Sequence, residues 1–134
     1  MALQFHDTMR LDWLDRFEAL VGTSPIMQIR TGSQPENAAA VSTGTLLCTI
    51  QLPVDWMAAA ASGSKAKLGV WSATTSVTGT PGHFRLFETT GTTCWLQGSA
   101  SELDLGGDLE IDVVPIVTGR SFIVATFTLT APGA

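Results

Sequence analysis

The sequence predicts a mainly β fold, an antiparallel β-sandwich or jelly-roll-like domain with one short N-terminal amphipathic helix, spanning residues 1–134 as a single unit. Three observations lead there. After Gly22, β-branched residues recur in short alternating runs bounded by Gly, Pro, Ser and Thr, the pattern of strands and turns. Those runs follow one another without the helices that a βαβ architecture would place between them. A length of 134 residues, 45% of them apolar, is enough to bury one core unaided and too short for a two-domain enzyme.

The helix comes first. Asp7 or Thr8 can cap it, Gly22 suits its C-terminal end, and residues 8–22 place Trp13, Leu14, Phe17, Leu20 and Val21 on one stripe. Arg10, Asp12, Asp15, Arg16 and Glu18 fill the other face, with Asp12 and Arg16 spaced for an i,i+4 pair. A helix this short is marginal alone, so its apolar stripe is expected to dock on the sheet or on a neighbouring subunit. Seven strands follow, near residues 26–31, 45–52, 65–72, 83–88, 93–98, 108–114 and 121–130. A further helical turn or two is expected over residues 56–61, behind Pro53 and with Asp55 as cap.

Strand alternation adds detail. Leu109, Ile111 and Val113 should share one face, with the acids opposite. In the last strand Ile123, Ala125, Phe127 and Leu129 share a face and Phe122, Val124, Thr126 and Thr128 the other, both partly apolar as in a central strand. Residues 89–92, with Gly91, make a loop of hairpin length. The long stretches 32–44 and 72–82 are expected either to carry function or to become ordered against a neighbour.

Charge narrows the partners. Charged residues are only 14% of the chain, against about 25% in an average soluble domain. The net charge is −5, and no stretch gathers the Lys and Arg that several phosphates would need, which argues against nucleic acid. No apolar run reaches the roughly 18–20 residues of a membrane helix, and residues 1–10 hold His6, Asp7 and Arg10 instead of a signal core. A soluble, cytoplasmically synthesised protein is expected. The two cysteines, Cys48 and Cys94, lie far from each other and from His6 and His83, so no zinc spacing exists. Both read as small apolar side chains in strands, a disulfide being possible but unsupported.

Several motifs invite a chemical reading. Ser62-Gly63-Ser64-Lys65 matches an S-x-x-K pattern, without the partner motifs or the length that such an enzyme needs. Asp104, Asp108, Glu110 and Asp112 are oxygen donors, but their spacing fits no calcium loop. His83 beside Arg85 lacks a nucleophile in any recognisable elbow and reads as a solvated strand histidine. The expectation is no catalytic residue, no cofactor and no metal. Of the four tryptophans, Trp13 belongs to the helix stripe with Phe17, while Trp71 and Trp95 lie in strands. Trp13, Phe17, Trp71 and Trp95 are the candidate interface residues, with sugar stacking as the alternative use of an exposed indole.

Four segments carry a resemblance: Met1-Ala2-Leu3-Gln4-Phe5 with the helix and Gly22-Thr23-Ser24-Pro25; the run from Leu52-Pro53-Val54-Asp55-Trp56 to Ser64-Lys65-Ala66; Gly82-His83-Phe84-Arg85-Leu86-Phe87; and the run Ser121 to Thr130. On these the chain resembles a group of small tailed-bacteriophage virion structural proteins, departing from it at Val113-Val114-Pro115, where a more polar sequence is expected. The resemblance implies a structural component of the virion. The expected role is a capsid decoration or cement protein, a homo-oligomer (dimer or trimer) that contacts other virion proteins such as the major capsid protein. The alternative is a tail- or fibre-associated module that binds host glycan.

Overall fold

A computed structural model of the chain describes residues 3–102, 105–111 and 117–131. It is mainly β: helix α1 (Asp7–Val21) is followed by β1 (Ile26–Arg30), β2 (Leu46–Gln51), β3 (Ser64–Ala66), β4 (Ser72–Thr74), β5 (His83–Phe87), β6 (Cys94–Glu102), β7 (Leu109–Ile111) and β8 (Ser121–Thr130). The strands form one mixed sheet in the order β2-β1-β5-β6-β7-β8-β3, with β4 also on β8. This is consistent with the sandwich-like class, and the sheet does not close into a barrel. The sheet curls far enough that the chain after β4 reaches β2, where Ser76 N and Val77 N both donate to Leu47 O at 3.0 and 3.2 Å.

The expectation of purely antiparallel pairing fails at one place. β6 uses residues 83–87 of β5 as its partner along its first part, then runs parallel to β7 with Ala100 opposite Leu109. So short a parallel connection needs a sharp return, and side chains make it. Asp108 Oδ2 accepts from Ser99 N at 3.0 Å and from Ser99 Oγ at 3.1 Å, and Gly107 N donates to Ser101 Oγ at 2.9 Å.

The core is continuous from the helix to the centre of the sheet. Phe17 meets Trp56 with ring centroids 6.0 Å apart, Trp56 meets Trp71 at 6.2 Å, and Trp71 meets Phe127, which meets Phe84, both at 5.5 Å. Met27, Ile29, Leu47, Ile50, Leu86, Leu109 and Ile111 fill in around this chain of rings. Trp56, fully buried, donates its indole N–H to Gly22 O at 2.9 Å and so ties the end of α1 to the core.

Several expectations are corrected here. α1 is capped by His6, whose Nδ1 accepts from Thr8 N at 3.2 Å, and not by Asp7 or Thr8. Gly22, at φ +88°, ends it as expected. The helix is rotated from the expected stripe: Leu14 and Val21 are buried and Phe17 is half-buried, but Trp13 and Leu20 face solvent and Arg10 is buried instead. Arg10 lies inside because Nη2 donates to Ala131 O at 3.0 Å, joining the helix to the end of β8.

Residues 56–61 are not helical. Ala58 N donates to Ala66 O, Ala61 and Ser64 exchange two backbone bonds of 2.9 Å, and Ser62 and Gly63 both take positive φ between them. That is a two-residue hairpin turn of the primed type, and it overrides the helical preference of the alanines. The expected strand over 65–72 is accordingly split into β3 and β4. In β8 the alternation breaks at a bulge: Glu110 pairs with Thr126 but Ile111 with Val124, so Ala125 is the extra residue. Val124 and Phe127 therefore both reach the core although they are three apart, and Ile123 is left exposed. The expected positions of Val113, Asp104, Asp112 and residues 113–115 lie outside the described residues.

Candidate functional site

β5 explains where a site can form. All five of its side chains are buried, because the sheet is covered on both faces at this strand. Phe84 and Leu86 enter the core; His83, Arg85 and Phe87 face the other way, under the 32–44 loop. That loop is fastened by side chains of the same chain. Arg85 Nη1 donates to Ser42 Oγ at 2.6 Å, and Nη2 donates to Ala38 O at 2.7 Å and Ala40 O at 3.0 Å. Gln97 Nε2 donates to Pro35 O at 2.8 Å, and His83 Nδ1 lies 2.9 Å from Gly32 O. A carbonyl only accepts, so His83 Nδ1 carries the hydrogen. His83 is thus a buried loop anchor, which corrects its reading as a solvated histidine.

The second long stretch is also fastened in place. Thr75 N donates to Arg120 O at 2.9 Å, and the Thr78 and Thr118 hydroxyls meet at 3.0 Å. Both long stretches thus have fastenings within the chain itself.

Where the 32–44 loop crosses β5 and β6 it leaves an open pocket of about 680 Å³, within the range of about 300–1,000 Å³ seen for small-molecule sites. Its walls are residues 38–42 and 92–95, with Arg85 and Phe87 beneath. Arg85 is 2% exposed and has no carboxylate partner among the described residues; its guanidinium lies 5.6 Å from the Phe87 ring centre, and its Nε has no hydrogen-bond partner. Arg30 adds a second cation nearby, donating to the carbonyls of Thr43 and Gly44. Burial, and then the neighbouring Arg85, hold the Arg30 guanidinium below its usual pKa.

Trp95 forms the outer wall. It is 39% exposed, yet its orientation is set: Nε1 donates to Glu88 Oε2 at 3.1 Å. Glu88 is itself held by Thr90 Oγ1 at 2.6 Å, Thr92 N at 2.6 Å and Thr93 N at 3.1 Å. The Thr90 hydroxyl, with the Thr92 and Thr93 amides, pulls the Glu88 carboxyl down to about 2. An exposed indole with so many bonds behind it is a preorganised flat face.

The other candidate residues are scattered. Trp71 is fully buried in the core and presents no surface to a partner, which corrects its placement among interface residues. Trp13 is 41% exposed on α1, where Phe5 packs on its edge at 4.7 Å, and Phe17 is committed to Trp56. Only Trp95 lies in the pocket. Sequence reasoning missed Arg85 as its floor; the sole signal was an arginine alternating with buried positions in a strand that is apolar on its other face. Cys94, half-buried, also lines the pocket, while burial pushes the Cys48 thiol up to about 12; both are free.

The oxygen donors near β7 serve the fold. Glu110 accepts from Gly106 N and Thr126 Oγ1, and Asp108 closes the return described above. Among the described residues no group of three or more His, Cys, Asp or Glu is arranged to hold a metal ion, and no helix is long and apolar enough to cross a membrane. Ser62 and Lys65 of the S-x-x-K pattern diverge: Ser62 tops the hairpin turn, and Lys65 is buried against α1, 2.7 Å from Asp15 and 2.8 Å from Glu18. Comparison with protein-family models, curated proteins and solved structures gives no match.

Proposed function

We propose that the chain is a structural component of a bacteriophage particle, a capsid decoration or cement protein that self-associates as a dimer or trimer and bridges major capsid subunits. The observation that supports this best is what the fold leaves on its surface. Of the seven basic residues, Arg10, Lys65 and Arg85 are buried and Arg30 and Lys67 half-buried, so only Arg16 and Arg120 are fully exposed. Large apolar side chains are exposed in their place, among them Leu3, Trp13, Val41, Val54, Val70 and Leu105. The surface is thus poor in cations, carries exposed acids such as Asp12, Glu36 and Asp55, and offers apolar groups whose burial against neighbours is favourable. The likeness of four segments to virion proteins supplies the setting.

Particles stripped of the protein should keep their shape but lose resistance to heat and osmotic shock, and regain it when the protein is added back. A host-glycan-binding module on the tail or a fibre is the second reading, favoured by the exposed, braced Trp95. Stripped particles that stay robust but no longer adsorb to cells would select it over decoration.

A further inference from the structure

We propose that the pocket between the 32–44 loop and Trp95 binds a saccharide that carries a carboxylate, such as a uronic acid. The inference deepens the second reading above and rests on its premise that Trp95 receives a sugar ring. It adds the chemical class, which the polar groups of the pocket select.

Sites for neutral sugars take up hydroxyl hydrogens on carboxylate or amide oxygens. This pocket offers none: no Asp, Glu, Asn or Gln is among the described residues that line it. What it offers is positive charge and donors. Arg85 can only donate, so Ser42 Oγ must be the acceptor of their 2.6 Å bond, and the Ser42 hydroxyl hydrogen is left to donate elsewhere. A hydroxyl polarised by a guanidinium in this way is a strengthened donor, and the partner it suits is an anionic oxygen. Ser42 lines the pocket, so that donor is available to a bound ligand.

Burial strengthens the same preference. Arg85 is 2% exposed and is balanced only by loop carbonyls, Ser42 and the ring of Phe87, with Nε unpartnered. A guanidinium beneath a pocket and shielded from water acts on a ligand charge at lower effective dielectric than a surface arginine would. The indole of Trp95, fixed by Glu88, supplies the flat apolar face on which the C–H side of a pyranose packs. The Glu88 carboxylate keeps its charge, but donors from Thr90, Thr92, Thr93 and Trp95 face its oxygens and it lies outside the lining, whereas Arg85 and Ser42 are part of it.

The test is titration of the isolated chain with methyl glucuronide, with methyl glucoside as the neutral counterpart and acetate as a carboxylate without a ring, followed by the Trp95 indole N–H resonance. Methyl glucuronide should shift it saturably, weaken by about tenfold on raising salt from about 0.05 to about 0.5 M, and outbind both controls. Trp95→Ala should abolish saturable binding, read from neighbouring amides. Val41→Glu, at a site 87% exposed, should weaken methyl glucuronide by about tenfold through like charge with an unchanged melting temperature. Equal binding of the glucoside, equal effects of acetate, full binding by Trp95→Ala, or no shift with any probe would each overturn the proposal. Because no particle is present, a negative result removes this site and leaves the decoration reading, and its particle test, intact. Binding here with full adsorption by stripped particles would uphold the site and reject the tail placement.

Discussion

At the scale of single residues, this chain spends its few charges on fastening. Lys65 is buried, and burial alone would lower its pKa; the hydrogen bonds it donates to Asp15 and Glu18, with their charges, outweigh that and raise it. The three groups are unequal, since Lys65 is enclosed while Asp15 is mostly in solvent. Removing the cation and removing the anions should therefore differ. Lys65→Met keeps the apolar stem and strands no charge, so its cost should be under about 1 kcal/mol. Asp15→Ala with Glu18→Ala leaves a buried ammonium without a partner and should cost about 2–3 kcal/mol, below the value for a fully enclosed pair because water reaches one side. Urea unfolding of the two variants measures the contrast. Glu88 makes a second prediction, in pH. Its carboxyl sits at about 2 in the folded chain against an ordinary 4.5, so it binds protons less readily folded than unfolded. Its contribution is complete above about 4.5 and is lost as pH falls toward about 2. Glu88→Gln should melt below the parent chain at neutral pH, with the gap closing across that window, and a gap independent of pH would refute the bonding described for the 88–93 turn.

At the scale of elements, period alone was legible and context was not. α1 ends at Gly22 as its sequence requires, and β8 has the bounds that its β-branched run marks out. Period does not decide the helix stripe, because Trp13 and Leu14 are adjacent and point about 100° apart, and Arg10, bonded to Ala131 O, goes with Leu14 turned inward. In β8 a single bulge shifts the core face from Val124 to Phe127, and bulges leave no reliable mark in a run of alternating residues. The hairpin over 57–67 was hidden because its alanines favour a helix locally, while Ser62-Gly63 and the burial of Trp56 favour the turn. The pocket was legible only through Trp95; Arg85, its floor, left no more than the alternation of an arginine with apolar neighbours in β5. These placements set the energetics of the helix. Phe17→Ala, at a half-buried ring, should cost about 1–3 kcal/mol, and Trp56→Ala about 3–5 kcal/mol or more, since Trp56 joins the helix end to the core rings. Equal losses in the two variants would contradict the order of packing.

At the scale of the whole molecule, the loops bear on how the chain would meet a partner. A loop that folds only on binding spends part of the interaction energy on ordering itself, while one already fixed presents its surface without that cost. The 32–44 loop is of the second kind. It is fastened by Arg85, His83, Gln97 and Arg30 to strands β1, β5 and β6 at the centre of the sheet, and a Cβ on Gly82 would overlap the backbone of Gly32, so loop and sheet meet without space between them. Slow hydrogen exchange of the Ala39 and Ala40 amides, which bond to Asn37 within the fastened loop, is the expected consequence in the isolated protein. Arg85→Ala should remove three bonds at once and speed exchange in those residues by about ten- to a thousandfold or more, if each lost bond contributes about 0.5–1.5 kcal/mol to keeping the loop closed. Exchange in β7 and β8, which Arg85 does not touch, should stay at the parent rate. Fast exchange of the Ala39 and Ala40 amides in the unmodified isolated protein, slowed only on a particle, would mean instead that a partner supplies the order, and the case for a preformed pocket would fall with it.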